Sequence, residues 1–185
     1  TEDGHLALVL GDVSGKGLPA SVVVGLLLGA VRASSWMGGS LEHEASSRRL
    51  SELLRTRTSL ERFASMFWAY YNPKTEILRY VNSGHLPPMV FSANGDGSLQ
   101  VQRLEEGGPV LGVVEGADYR QGTATVRAGD LLVMYSDGVV EAMNASDEQF
   151  GEERLCALIQ RHAGRPSAEI RDEILRQVHA FLGTE

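Results

Sequence analysis

Residues 63–85 read FASMFWAYYNPKTEILRYVNSGH, and this stretch decides the fold class of the chain. Residues 63–71 are rich in aromatic side chains, which favour β-strands. The Asn-Pro-Lys sequence at 72–74 is typical of a tight turn, and the apolar residues of 77–82 follow it. Two strands joined by so short a connection pair side by side, so the stretch predicts an antiparallel β-hairpin.

The segments on either side of this hairpin extend the pattern. Residues 88–91 and 99–104 flank the turn sequence Asn-Gly-Asp-Gly at 94–97, which predicts a second hairpin. Apolar runs predict further strands at 5–10, 119–126 and 131–135. Helical spacing predicts helices at 22–31 and 46–57, a third that begins near Glu152, and a fourth that Ser167 caps. Helices at both ends of a run of hairpins predict an α+β fold, with an antiparallel sheet covered by helices.

Composition narrows the class of protein without indicating its chemistry. The chain has 185 residues, of which 43% are hydrophobic and 22% charged, as expected for one globular domain. Its net charge of −7 argues against a nucleic-acid binder, which needs clustered Lys and Arg. The single cysteine, Cys156, cannot form an internal disulfide, and the acidic start Thr1-Glu2-Asp3 does not resemble a signal peptide. A soluble, cytoplasmic protein is therefore expected.

Two distant segments place an aspartate where an apolar run ends. The first is LVLGDVSGKG at 8–17, which contains Asp12, and the second is LVMYSDGV at 132–139, which contains Asp137. Carboxylates held at the rim of a sheet are the ligands that Mg²⁺ or Mn²⁺ prefers, so a divalent-metal site is one interpretation. The alternative is that both are ordinary turn residues, because Asp-Gly is a common turn dipeptide.

The glycine-rich part of the first segment invites comparison with a phosphate-binding P-loop. That motif has four residues between its first Gly and the Gly-Lys pair, whereas three separate Gly11 from Gly15-Lys16 here. The P-loop interpretation therefore fails. A glycine-rich turn that enters a helix still presents N–H groups to an anion, so Gly15, Lys16 and Gly17 are candidates for contact with phosphate. Gly138, next to Asp137, is a further candidate.

Five motifs occur in an order that resembles the SpoIIE-like (sporulation stage II protein E) branch of the PPM-type, metal-dependent Ser/Thr protein phosphatases. The resemblance covers nearly the whole chain. The motifs are GDVSGKGLPA at 11–20, YVNSGHLPP at 80–88, GPVLG at 108–112, YSDGVVEA at 135–142 and FGEERL at 150–155.

The resemblance implies both a fold and a mechanism. The implied fold is a four-layer αββα sandwich, in which two antiparallel sheets are flanked by helices. The implied site holds two Mn²⁺ or Mg²⁺ ions, with Asp12 bridging them, Val13 contributing its backbone carbonyl and Asp137 as a further ligand. In such a site Asp12 and Asp137 are the catalytic residues, and water acidified by the metals attacks phosphorus directly. The lone Cys156 then belongs to the core and not to the chemistry.

The resemblance also implies a setting in bacterial signalling. The family's usual substrate is a phosphorylated STAS-domain anti-sigma-factor antagonist, and a sensor or receiver domain commonly precedes the phosphatase domain. The first helix is apolar nearly all round, which predicts that it packs inside the domain, and a homodimer is the alternative. No nucleic-acid partner and no membrane span are expected.

The family carries two more metal-binding aspartates, one before the first motif and one after the last helix. Neither Asp3 nor Asp172 stands in the corresponding context. Residues 1–185 are therefore expected to be a phosphatase domain truncated at both ends. The alternative is a catalytically incomplete module of the same fold, which binds phosphoproteins as a scaffold.

His85 allows two interpretations. It could donate a proton to the leaving group, or it could be a structural hydrogen-bonding residue next to Pro87-Pro88. The structural interpretation is favoured, because a histidine that follows a strand more often fills that role.

Overall fold

A computed structural model of the protein describes residues 4–36, 43–57, 63–95 and 98–183. In chain order its elements are β1 (Leu6–Val13), α1 (Leu18–Trp36), α2 (His43–Arg57), β2 (Ala64–Asn72), β3 (Ile77–Ser83), β4 (Met89–Ala93), β5 (Leu99–Arg103), β6 (Gly107–Gly108), β7 (Gly122–Thr125), β8 (Leu131–Val133), α3 (Asp137–Val140), α4 (Gly151–His162) and α5 (Ser167–Leu182). None of the helices within these ranges has the length and hydropathy needed to cross a membrane.

The strands form two sheets. The first has the order β1-β2-β3-β6, with β7 also paired to β3, and the second has the order β5-β4-β8. All pairs are antiparallel except β3 with the two-residue β6. Both predicted hairpins are confirmed as β2-β3 and β4-β5. The tip of the second includes residues 96 and 97, which lie outside the described residues.

Three groups of buried side chains fill the spaces between four layers, which are a helix layer, the first sheet, the second sheet and a second helix layer. One group joins α1 and α2 to the first sheet and includes Val23, Leu54 and Trp68. A second fills the space between the two sheets, and a third joins the second sheet to α4 and α5. Because each sheet is covered on both faces, the αββα sandwich expected from the resemblance is confirmed.

The alternation of side chains along β1 determines which layer each residue faces. Val9 and Val13 pack on the side of α1 and α2, whereas Leu8 packs between the sheets. Successive side chains of a strand point to opposite faces, so Asp12 shares the inter-sheet face with Leu8. The carboxylate thus lies at one end of the space between the sheets.

The predicted end of β1 was wrong. The strand continues through Gly11 and Asp12, which pair with Met66 and Ser65 of β2, and it is a half-exposed edge strand and not a buried one. Glycine is required at position 11 for this pairing, since a Cβ there would lie 2.8 Å from the backbone oxygen of Ser65. Asp12 is therefore held within the strand by register.

The end of β8 also differs from the prediction. The strand ends at Val133, which pairs with Met89 at the start of β4. The next partners along that chain are Pro87 and Pro88, which have no N–H to donate, so the ladder cannot continue. Asp137 consequently opens the short helix α3 and does not end a strand.

The remaining boundaries differ by a few residues. Helix α1 begins at Leu18, one residue before Pro19, which the sequence places in its first turn; α2 begins at His43, earlier than predicted, and β7 is confined to four residues. The predicted burial of α1 on nearly all sides was wrong, since Val22 and Leu28 are exposed. Ser167 is the first residue of α5, whose N-cap is Pro166, and no side chain caps the helix there. The predicted capping role of Ser167 was therefore wrong.

Candidate metal centre

Asp12 occupies the rim of the first sheet. Its Cα lies opposite that of Ser65, and the residue is exposed to solvent. Within the described ranges no Lys, Arg or His forms an ion pair with its carboxylate. A rigidly held, solvent-accessible carboxylate without a cationic partner is free to bind a cation from solution.

Asp137 follows the last strand of the second sheet by four residues. It opens α3, where its Oδ1 accepts a hydrogen bond of 2.7 Å from the N–H of Gly138, and its backbone oxygen accepts one of 2.7 Å from Glu141. The residue is exposed, and it forms no ion pair within the described part of the chain. The bond from Gly138 occupies one carboxylate oxygen and leaves the other available.

The two aspartates converge at the same end of the sandwich. A cavity of about 390 Å³ brings Leu10 of β1 together with Tyr135 and Ser136, the residues that lead into Asp137. The charges of both carboxylates also act on the same imidazole, where they oppose the lowering of the pKa of His85 by burial. Both aspartates of the predicted pair therefore lie near His85, although the segments are 125 residues apart in the chain (137 − 12).

The backbone carbonyl of Val13 faces the open edge of β1. In an antiparallel pair, hydrogen-bonded and non-hydrogen-bonded residue pairs alternate. Ser14 donates to the oxygen of Phe63, so the neighbouring pair of Val13 and Ala64 is the non-hydrogen-bonded one. Ala64 bonds Leu111 on its other side, as this alternation requires. The Val13 oxygen thus points away from β2 and is a third oxygen donor near Asp12.

The glycine-rich segment after β1 leads directly into α1. Gly15 and Gly17 have φ values of +96° and +75°, a backbone conformation that favours glycine. Lys16 is exposed, and α1 is closed at its start by a bond of 3.2 Å from the Ser21 N–H to the Gly17 oxygen. The segment lies next to Asp12 in the chain, and within the described residues no contact joins Lys16 to either aspartate.

His85 is buried at the rim between the two aspartates. It is 8% exposed, and its Nδ1 lies 2.9 Å from the hydroxyl of Ser65. Burial lowers the pKa of His85, against the opposing charges of Asp12 and Asp137 and a contact with the backbone of Tyr135. Its Nε2 is also inaccessible to solvent. Both ring nitrogens are thus turned into the protein, which supports the structural interpretation of His85.

Asn82 is a residue of this rim that the sequence reasoning did not single out. Its side chain accepts a hydrogen bond of 2.8 Å from the His85 N–H and donates to the backbone oxygens of His85 and Leu104, at 3.0 and 3.3 Å. It is 4% exposed. The Asn-Ser-Gly-His sequence carried the signal, because an Asn three residues before a His can close a turn with its side chain.

Gly84 lies inside that turn with φ +68°. A Cβ at this position would stand 2.4 Å from Cγ1 of Val110, which leaves no room for a side chain. Position 84 therefore requires glycine for both its backbone conformation and its packing.

The donors at this rim fit a hard divalent cation. Two carboxylates and one carbonyl are oxygen ligands, which Mg²⁺ and Mn²⁺ prefer. Within the described residues, no group of three or more His, Cys, Asp or Glu side chains is placed to hold a metal. The residues present therefore fit a divalent cation by their chemistry but supply only part of its ligands.

Cys156 lies away from this rim. It is half-buried in α4 with its Sγ 3.4 Å from the sulfur of Met89, and burial raises the pKa of the thiol. A thiol that resists ionisation is a poor nucleophile, as expected for a core residue.

Comparison with known proteins agrees with this architecture. Phosphoserine phosphatase RsbU of Bacillus subtilis (strain 168) is 26% identical over 160 residues, which are 83% of this chain and 46% of that protein. The chain thus spans less than half the length of the curated relatives it matches.

Solved structures share the fold. The SiaA-PP2C domain of Pseudomonas aeruginosa superposes with a TM-score of 0.77 at 18% identity, covering 97% of this chain and 74% of that one. RsbX, solved in complex with magnesium, superposes with a TM-score of 0.61 at 17% identity, covering 98% and 76%. The sequence profile of stage II sporulation protein E (SpoIIE) matches residues 2–185. The chain belongs to the SpoIIE family.

Proposed function

We propose that this chain is the phosphatase domain of a bacterial signalling protein, which hydrolyses phosphoserine or phosphothreonine on a protein substrate. The observation that carries the proposal is that Asp12, at the rim of the first sheet, and Asp137, at the start of α3, both lie near His85, and neither forms an ion pair within the described residues. Two unpaired carboxylates repel each other unless a cation lies between them. The name of the relative RsbU, a phosphoserine phosphatase, supports the same reaction.

Each residue of the rim has a defined task in this reaction. Asp12, Asp137 and the Val13 carbonyl hold two ions, Mn²⁺ or Mg²⁺, and RsbX in complex with magnesium supports this choice. Bound divalent ions acidify the attacking water and neutralise the phosphoryl oxygens. The N–H groups of Gly15 and Gly17, together with Lys16 and Gly138, contact the phosphate. No protein nucleophile is required, in agreement with the buried thiol of Cys156.

The remaining ligands of a two-ion site come, in this proposal, from segments of the protein outside residues 1–185. Two carboxylates and a carbonyl leave most coordination positions of two octahedral ions to water or to other residues. Residues 1–185 are accordingly a phosphatase domain truncated at both ends, within a longer protein that carries an N-terminal sensor or receiver domain.

The proposed substrate is a phosphorylated STAS-domain anti-sigma-factor antagonist, and the proposed location is the cytoplasm. The family to which the chain belongs supports this choice. A purified STAS-domain phosphoprotein should be dephosphorylated faster than a short phosphoserine peptide, because only the folded domain offers a surface to recognise. Equal rates on the two substrates would contradict the STAS assignment.

The full-length protein also forms a homodimer in this proposal, through the outer face of α1. This face exposes large apolar side chains, namely Leu18, Val22, Val24 and Leu28. Among the described residues, a Cβ at Gly25 or Gly29 would meet nothing within 4 Å, so neither glycine is needed for packing against them. Glycines on an exposed apolar helix face allow a second helix to approach closely, and a second copy offers the same face.

The dimer is tested by sedimentation of the full-length protein and its Val22→Glu variant. A charge in the centre of the interface should shift the protein to monomer. Leu175→Glu, on the similarly exposed surface of α5, is the matched control and should leave the association state unchanged. An unchanged association state in Val22→Glu contradicts the α1 interface.

The catalytic proposal is tested by Mn²⁺-dependent hydrolysis of a phosphoserine substrate by the full-length protein and by Asp137→Asn. We expect the variant to lose more than the roughly 10–100-fold that loss of an outer partner costs at a metal site. Asp118→Asn is the control, since Asp118 is an exposed carboxylate paired with Arg48 at 2.6 Å. Equal rates for the protein and Asp137→Asn would refute the site.

A different outcome would favour a scaffold. If the full-length protein binds a phosphoprotein but does not hydrolyse it at any Mn²⁺ concentration, the catalytically incomplete module is the correct interpretation. The observation in its favour is that the described residues contain no group of three side-chain ligands.

A further inference from the structure

Ser65 and His85 continue the row that Asp12 begins across the first sheet. Asp12 lies opposite Ser65 on β2, and the hydroxyl of Ser65 lies 2.9 Å from Nδ1 of His85, just beyond β3. All three belong to the end of the inter-sheet space. The position of the His85 ring is therefore coupled to the strand pairing that holds Asp12.

The backbone around His85 is fixed independently of its ring. Asn82 bonds both the N–H and the oxygen of His85, and Val110 leaves no room for a Cβ at Gly84. The main chain thus cannot shift to accommodate a different side chain at position 85 without losing buried hydrogen bonds, which is costly. The ring is a rigid extension of the first sheet.

The residue after His85 packs on the second sheet. Leu86 packs against the cluster that contains Met89 and Tyr135, and the backbone of Tyr135 lies close enough to the His85 ring to act on it electrostatically. Nε2 of the ring is buried, with no partner in full hydrogen-bond geometry among the described residues. Asp137 follows Tyr135 by two residues. His85 therefore stands between the supports of both aspartates.

We propose that His85 is a positioning residue, which braces the β2 rim against the end of β8 and so sets the separation of Asp12 and Asp137. This inference rests on the proposed function, because it takes the two carboxylates as ligands of one centre. β1 and β8 belong to different sheets, and no strand pairing joins these sheets in the part of the chain that the structure describes. A contact that holds the two carboxylates in position is needed, because their like charges repel and a cation binds tightly only where its ligands are already in place.

The experiment measures Mn²⁺ binding by the full-length protein, using calorimetry at neutral pH, together with the melting temperature of each variant. His85→Phe keeps a ring and removes both nitrogens, while His85→Gln keeps polar atoms and is the conservative variant. His43→Phe is the matched control, because His43 is also buried, at 2% exposure, and its Nδ1 bonds Gln121 instead of a residue of the rim.

We expect His85→Phe to weaken Mn²⁺ binding by roughly tenfold or more, as loss of an outer partner does at metal sites. His85→Gln should recover part of the affinity. His43→Phe should lower the melting temperature but leave Mn²⁺ affinity unchanged, so a general loss of stability is distinguished from a loss of positioning. Wild-type affinity in His85→Phe would overturn the inference, as would an equal loss in His43→Phe.

Ser65→Ala keeps the inference testable if His85→Phe does not fold. It removes one hydroxyl from a partly buried position, and we expect a smaller loss of Mn²⁺ affinity in the same direction. Unchanged affinity in Ser65→Ala would contradict the brace. If the unaltered protein binds no Mn²⁺, the proposed function itself fails, and this outcome is distinct from a protein that binds Mn²⁺ equally well with and without His85.

Discussion

The two aspartates of the rim are supported in opposite ways. Asp12 rests on a neutral, largely buried set of hydrogen bonds through Ser65, Asn82 and His85. Asp137 follows Tyr135, whose hydroxyl donates a hydrogen bond of 2.6 Å to Glu152 of α4. Glu152 in turn pairs with Arg103 of β5 at the surface, where the side chain of Glu152 is 29% exposed and that of Arg103 47%.

The two supports should therefore be sensitive to different changes. A buried, neutral network is sensitive to shape, because an unsatisfied polar group or a misplaced methyl cannot be relieved by water. A charged, half-exposed network is sensitive to pH and salt, because both act on its charges directly. Variants and conditions that touch one support should therefore leave the other largely unaffected.

Substitution of the two aspartates themselves should have the greatest effect on activity. Asp12→Asn and Asp137→Asn should each abolish most Mn²⁺-dependent hydrolysis, and the double variant should be scarcely worse than either one. Residues that act as a unit are strongly non-additive, since removing one already disables the centre. Steady-state kinetics on a phosphoserine substrate measure this. Multiplicative losses would mean that the two carboxylates work separately.

The next prediction compares a glycine beside His85 with a glycine beside Asp137. Gly84→Ala places a Cβ at 2.4 Å from Val110 in a left-handed backbone, so we expect a loss of about 1–3 kcal/mol in the free energy of unfolding. Gly138→Ala is the counterpart beside Asp137. Its Cβ would meet only Ser136 Oγ at 3.7 Å, an ordinary contact, so its stability should change little. Urea denaturation compares the two, and similar losses would contradict the asymmetry.

Tyr135→Phe probes the charged support and its pH dependence. Loss of the hydrogen bond to Glu152 should cost about 1 kcal/mol at pH 7, because Arg103 still partners the carboxylate. Partial burial opposes ionisation of Glu152, yet the bonds from Tyr135 and Arg103 hold the pKa of Glu152 below its ordinary value.

The sign of the pH effect follows from this lowered pKa. A lowered pKa stabilises the fold above the unfolded pKa, about 4.3 for Glu, and this stabilisation is lost as the pH falls through the folded value. The difference in stability between wild type and Tyr135→Phe should therefore shrink on acidification below about pH 4.3. Denaturation at a series of pH values measures it, and a constant difference would contradict the role of Glu152.

Arg103→Gln should have the smallest effect. The ion pair with Glu152 lies near the surface, so its removal should cost about 0.2–1 kcal/mol, and less at high salt. Urea denaturation at low and high ionic strength checks both statements. A salt-independent loss would indicate that Arg103 acts through packing.

Much of the site was predictable because its chemistry is local in the sequence. Each of Asp12 and Asp137 stands beside a glycine after an apolar run, and the turn residues of both hairpins have short-range conformational preferences. The turn that Asn82 closes with His85 is local and could have been predicted, whereas its bond to Leu104, 22 residues away (104 − 82), follows from no local pattern.

The sequence by itself determined the α+β class, the two hairpins and the candidate carboxylates, because these depend on side-chain type and on spacing over a few residues. Only the tertiary structure decided that β1 runs through Asp12 and that Asp137 opens a helix, since both outcomes depend on which residues a partner strand offers. The pairing of Asp12 with Ser65 keeps the first aspartate in a strand. The prolines before Met89 end the ladder before the second one.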